Sequence, residues 1–160
     1  MHKNHNVDLE TPSGSSSQRS PLDELLSRLD ERFGSELTSV VVYGSQARGE
    51  ATANSDTDLM VVVRHLPFGW ADIFALEDEL VHLGRDLAIR LDVRLVEPEA
   101  VSYSVTWTAP LMLEVYDAHR VLLDPTGFFA AEMKRFGDVV RERGIYKVSP
   151  GVWRVPTVAR

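Results

Sequence analysis

Cysteine is absent from the 160-residue chain, which excludes a disulfide framework, a thiol nucleophile and a thiolate zinc site, and leaves any chemistry to oxygen and nitrogen groups. No stretch approaches the roughly 20 apolar residues that span a bilayer as a helix. The opening segment, MHKNHNVDLETPSGSSSQRS, holds no apolar signal core. The expectation is a soluble, cytoplasmic protein. Basic charge is also in short supply: 17 Lys and Arg against 24 Asp and Glu give a formal net charge of −7, with an isoelectric point near 5.2. That is the wrong sign for a protein that grips a long nucleic acid by its phosphates. A single triphosphate remains open to it, because bound divalent metal inverts the local charge. Internal repeats and a regular βαβ series are missing too. The expected fold class is α+β, a small mixed β-sheet with helices packed against it, rather than a doubly wound parallel sheet. The length suits one domain able to close its own core.

Residues 1 to 20 are rich in Ser, Asn and His and poor in large apolar side chains. Such a segment buries too little surface to order itself and reads as a flexible tail. From Pro21, the spacing of Leu22, Leu25, Leu26, Leu29 and Phe33 lines one face of a helix that stops at Gly34. Val40 to Tyr43 and Leu59 to Val63 are short continuous apolar runs, as expected of strands buried on both faces. Ile73, Phe74, Leu80, Val81 and Leu87 recur at helical spacing between Trp70 and Ala88. Ile89, Leu91, Val93 and Leu95 then alternate with Arg90, Asp92 and Arg94, which predicts a strand. Residues 101 to 107 also alternate and, taken alone, predict a half-buried strand. A short helix over Leu111 to Tyr116, a strand over Val121 to Leu123, a helix over Phe128 to Arg141 and a small hairpin from Ile145 to Trp153, turning near Pro150 and Gly151, complete the reading.

The chemistry concentrates in GSQARGEATANSDTDLMVVV, Gly44 to Val63. Gly44 and Ser45 end one strand, where a missing side chain lets the backbone approach a phosphate and exposed N–H groups donate to it. Ten residues later come Asp56 and Asp58. Two residues apart in an extended backbone, their carboxylates point the same way. Paired acids repel as bare anions but suit hard divalent cations, which take oxygen ligands. A third acid, Asp92, lies on the strand face opposite Leu91, Val93 and Leu95, where it can join a shared site. Asp72, Asp78 and Asp86 fall on the predicted helix and read as solvated charges. Ser45 has no nearby His or Lys in sequence to activate it as a nucleophile. Arg48 has two open roles, reaching phosphate or bracing the loop. Arg90 and Arg94 likewise meet phosphate or pair with acids, and Trp107 and Trp153 read as packing anchors ahead of stacking platforms.

Gly-Ser, ten residues and Asp-x-Asp, with Ala47, Arg48 and Gly49 inside and Ser55 before the first acid, resembles the minimal nucleotidyltransferases of the DNA polymerase β superfamily. The resemblance spans residues 21 to about 125 and implies a nucleotidyltransferase core there, leaving residues 126 to 160 as a C-terminal helix and hairpin extension. It implies ATP as donor, with Gly44, Ser45 and Arg48 on the nucleotide's phosphates and two Mg²⁺ ions held by Asp56, Asp58 and Asp92. Asp92 would complete the metal site that activates the acceptor hydroxyl, and is also placed to take its proton. Small free-standing members of this kind serve as antitoxins that adenylylate a tyrosine of a HEPN-domain toxin, so the expected partner is a protein of that type. Two alternatives stand beside it: transfer to an aminoglycoside or lincosamide antibiotic, and a non-catalytic module that binds nucleotide or partner.

Overall fold

The computed structural model describes residues 19–156, so the expected flexible tail lies outside the described residues except for its last two. The second of these, Ser20, starts the fold. Its hydroxyl accepts the Asp23 N–H at 3.2 Å, and the Asp23 carboxylate accepts the Ser20 N–H at 3.2 Å. This reciprocal cap satisfies donors that a helix cannot satisfy within itself, and the bonds from Ser20 hold the Asp23 carboxyl below its ordinary range. Helix α1 (Pro21–Phe33) follows and stops at Gly34, whose φ is +52°. Leu25 and Leu29, four residues apart, are fully buried, as the helical spacing requires.

Strands β1 (Leu37–Tyr43) and β2 (Thr57–Val63) run antiparallel, and nearly every residue of both is buried. Strand β3 (Leu91–Val96) lies parallel to β2, and β4 (His119–Leu123) antiparallel to β1. The resulting mixed sheet has the order β3-β2-β1-β4. The parallel step between β2 and β3 needs a crossover, which α3 (Trp70–Asp86) supplies. One face of the sheet, with Val40, Val42, Leu59, Val61 and Val93, packs against α1 and α3. The other, with Val41, Tyr43, Met60 and Val62, packs against α4 (Pro98–Thr106), α5 (Pro110–Asp117) and α6 (Phe128–Glu142). Phe129 and Phe136 of α6 are wholly buried there. A large apolar side chain contributes about 1.5–3 kcal/mol when buried, so α6 belongs to the core. A hairpin of β5 (Tyr146–Ser149) and β6 (Val152–Arg154) ends the described chain, with Gly151 at φ +70° in its turn. Among the described residues no helix is long and apolar enough to cross a membrane.

The predicted strand over residues 101 to 107 is corrected to helix α4. Val101 and Val105 fit both periods, since four residues is two strand repeats and about one helical turn. Tyr103, which a strand would bury with them, is 67% exposed. Pro98 sits in the first turn, where a proline loses no helical hydrogen bond. The Thr106 hydroxyl donates back to the Ser102 carbonyl at 2.9 Å. Burial against α6 decided between two patterns that the local alternation left equal.

Asp124 joins the sheet to α6. Its carboxylate accepts the Phe129 N–H at 3.1 Å, the Ala130 N–H at 3.0 Å and the hydroxyl of buried Ser39 at 2.8 Å. Asp124→Ala leaves a buried hydroxyl and two helix-end donors without their acceptor, and is expected to destabilise the protein by about 1–3 kcal/mol. Chemical denaturation, read against wild type at equal m-value, measures the loss.

Candidate active site

The strand directions bring four side chains into one row. Tyr43, the last residue of β1, pairs with Asp58 of β2 and with His119 of β4, and Asp58 pairs with Asp92 of β3. Antiparallel β1 ends where parallel β2 and β3 begin, so the row crosses the sheet at one end. Asp58 and Asp92 are thereby neighbours on the same face, as expected. Asp56, one residue before β2, is bonded instead to Arg90, Nε to Oδ1 at 2.9 Å. Both groups are more than half exposed, so the pair is a weak surface bridge. Among the described residues no three His, Asp or Glu side chains are already grouped as a metal cage. An exposed carboxylate beside two other anions takes the nearest cation, here a guanidinium.

Burial is the main influence that raises the Asp58 carboxyl above the ordinary carboxylate range. The charges of Asp92, Glu114 and Asp56 add to it, and Arg48 opposes them. Burial likewise pushes the Tyr43 phenol up to about 12, reinforced by Asp58 and Asp92. Tyr43 therefore keeps its proton next to the acids at neutral pH. The end of the sheet holds more negative charge than its own residues neutralise. Its carboxylate oxygens are the hard donors that Mg²⁺ selects, and in that respect the site fits the expected cation.

Gly44 opens a single helical turn, α2 (Gly44–Arg48). Its φ is +68°, and a Cβ built on it would overlap the Asp58 carboxylate, standing 3.2 Å from Cγ. A glycine is needed here for two reasons: the left-handed backbone and the acid lying against it. Ser45 follows at the start of the turn. Arg48 donates from Nε to Glu50 Oε2 at 2.8 Å, the loop-bracing one of its two expected roles. Its guanidinium also lines a cleft of ≈ 680 Å³ with Leu111, Leu113, Glu114 and Trp153, a volume suited to a small ligand. One wall of that cleft is the terminal hairpin, tied to α5 by Lys147 Nζ and Asp117 Oδ1 at 2.5 Å. Trp153 packs 6.3 Å from Tyr116, in keeping with an anchor. Trp107, by contrast, is 62% exposed.

Two residues at the site carry no chemical signal in the sequence. Tyr43 is there the end of an apolar strand, and its place immediately before Gly44 puts it in line with Asp58. Glu114, in the run LMLEVY, is the acid that α5 turns toward Asp58, and nothing in the local pattern separates it from a solvated helix charge. Asp72, Asp78 and Asp86 lie on α3, away from the row.

A family model described as the nucleotidyltransferase domain matches residues 22–103. A Methanocaldococcus jannaschii protein named "Putative protein adenylyltransferase MJ1305" is 29% identical over 121 residues, 75% of this chain and 81% of its own length. Among solved structures, a chain from the crystal structure of a toxin-antitoxin with AMP-PNP is 17% identical, covering 76% of this chain and 91% of that one at a TM-score of 0.48. A chain from the tri-AMPylated Shewanella oneidensis HEPN toxin in complex with MNT antitoxin is 14% identical, covering 76% and 88% at a TM-score of 0.43.

Because folding raises the Asp58 pKa, the native state holds that proton more tightly than the unfolded chain. Its contribution is fully present below the unfolded value of 3.8 and is lost as pH rises through the folded value. Metal-free Asp58→Asn is therefore expected to melt above wild type at pH 7, with the gap closing toward pH 3. Calorimetry across that range in the presence of a chelator is the measurement. Gly44→Ala should lower stability by about 1–2 kcal/mol through the left-handed backbone alone and displace the Asp58 carboxylate. Its melting temperature and its titration of Asp58 by NMR read both effects.

Proposed function

Because the chain belongs to the nucleotidyltransferase domain family, we propose that it transfers AMP from ATP to a hydroxyl of a protein partner. The observation that carries the reading is the paired Asp58 and Asp92 on adjacent parallel strands, with the backbone of Gly44 closed against Asp58. The name of the Methanocaldococcus jannaschii relative, similar over three quarters of this chain, supports a protein as acceptor. The acceptor proposed is a tyrosine of a HEPN-type toxin, with this chain as its antitoxin. That finer statement rests on the resemblance of the Gly44 to Asp58 motif to the minimal nucleotidyltransferases. A cytoplasmic location goes with it.

In the proposed reaction the acceptor oxygen attacks the α-phosphorus of ATP. The bond from that phosphorus to the bridging oxygen breaks, pyrophosphate leaves, and Asp92 takes the acceptor's proton. Gly44 and Ser45 offer the triphosphate backbone N–H groups and a hydroxyl, and Arg48, beside the cleft, adds positive charge. Asp56, Asp58 and Asp92 would hold Mg²⁺, which when bound neutralises phosphate charge and lowers the acceptor's proton affinity. Tyr43 stays neutral and adds no further negative charge beside the acids. Asp56 would hold the same ions at the expense of its exposed bond to Arg90, a bond worth about 0–1 kcal/mol.

Asp58→Asn and Asp92→Asn are each expected to lower transfer by at least about a hundredfold, the scale of losing one charge-stabilising group, with the fold retained. Labelled ATP added to the chain with proteins co-purified from its source cell, followed by intact-mass analysis of the labelled band, is the test. Near-native transfer by either variant would overturn the assignment of the acids. Labelling of an aminoglycoside or lincosamide, with no protein labelled, would move the acceptor to the antibiotic class.

A further inference from the structure

The sheet leaves the Asp92 side of the site open. Helix α2 contacts β1, β2, β4 and α5, so a donor held at Gly44 and Ser45 lies to one side of Asp58, while Asp92 stands on the edge strand at the other. A groove of ≈ 560 Å³ crosses the later half of that edge, from Arg94 onward, between α3 and the start of α4, and is lined by Phe68, Trp70, Phe74, Arg94 and Ala100 among others. Arg94 is two residues from Asp92 on the same strand face. Phe68, Trp70 and Phe74 are exposed by 110%, 78% and 57%. The Trp70 and Phe74 rings lie 6.2 Å apart. From Ala100 the same stripe of α4 continues three and seven residues on to Tyr103 and Trp107, also exposed, with their rings 6.1 Å apart.

Phe68, Trp70 and Phe74 beside Arg94 are residue types that anchor protein interfaces, and an exposed apolar patch of this kind marks a binding surface. The two groove carboxylates are each taken by a backbone N–H: Glu77 by Leu95 at 3.0 Å and Glu97 by Leu66 at 2.8 Å. Arg94 has no ion-pair partner among the described residues. The bond from Leu95 also closes part of the β3 edge with a side chain, which disfavours addition of a further strand and leaves the side chains of the groove as the means of contact.

We propose that this groove is the docking surface for the protein acceptor. The acceptor lays apolar side chains against Trp70 and Phe74 and sets an acidic group on Arg94, so that its hydroxyl arrives over β3 at Asp92. The proposal rests on the AMP-transfer reading above and adds to it which face the partner uses. A second copy of this chain is the rival occupant.

The test uses the full chain, α-labelled ATP and the soluble proteins of the source cell. The variants are Trp70→Ala with Phe74→Ala, and separately Arg94→Glu. The expected result is at least a tenfold loss of labelled acceptor in both. For the double variant, AMP-PNP binding and melting temperature stay at wild-type values. A photo-crosslinking residue placed at Phe68 should capture the same labelled species. Undiminished labelling in the double variant overturns the proposal, as does loss of AMP-PNP binding along with labelling. So does a crosslink formed only to another copy of this chain, with sedimentation showing a dimer that the double variant abolishes. If wild type labels no protein at all, the AMP-transfer reading fails and the docking proposal falls with it; if only the variants behave as wild type, the docking proposal falls alone.

Discussion

The carboxylate of Asp58 lies against the backbone of Gly44, at the end of two strands that are buried almost throughout. That contact constrains the neighbourhood. It admits no side chain at position 44, and with φ at +68° it turns the chain from β1 into α2. It holds an anion in a half-dry place, where burial and the charges of Asp92, Glu114 and Asp56 all disfavour it. The nearby groups respond to the same charge: Tyr43 keeps its proton, Arg90 pairs with Asp56, and Arg48 counters the field from α2. A cluster of this kind costs folding energy in isolation, and such costs concentrate where charge is put to chemical use.

Sheet topology turns a sequence motif into a site. If β3 were antiparallel to β2, Asp92 would not meet Asp58 in the same register at the same end. The α3 crossover makes the step parallel, and the beginnings of β2 and β3 then stand beside the end of β1. The apolar residues of β2 and β3 that face α1 and α3 bury on one side, which fixes the register to odd or even and so fixes the acids on the other. Core packing and placement of the acids are thus one constraint.

The C-terminal part is integral to the architecture. Phe129 and Phe136 fill the face shared with Tyr43 and Met60, Asp124 ties the helix end to β1, and the hairpin walls the cleft beside α2. The match to the nucleotidyltransferase model ends at residue 103. The elements beyond it close one side of the site, whereas on the opposite side exposed aromatics of α3 and the segment before it line a groove along β3.

Local pattern was sufficient where it was unambiguous. A proline start and glycine stop bounded α1, two valine-rich runs read as interior strands, and the motif from Gly44 to Asp58 carries the resemblance to the minimal nucleotidyltransferases. It was insufficient where one pattern served two periods: Val101 and Val105 fit strand and helix alike, and only the surface of α6 against them selected the helix. Arg90, whose sequence position suits a phosphate ligand and an ion-pair partner equally, meets Asp56 through a contact across two elements. Tyr43 and Glu114 acquired their place from pairing and packing, since neither carries a local signal of its own. The sequence by itself determined which residue types could do the chemistry and which elements carry them, because periodicity and backbone preference are properties of neighbours along the chain. Only the tertiary structure decided which charges face one another, because the Coulomb and desolvation effects that distinguish Asp58 from a surface acid depend on distances between strands far apart in sequence.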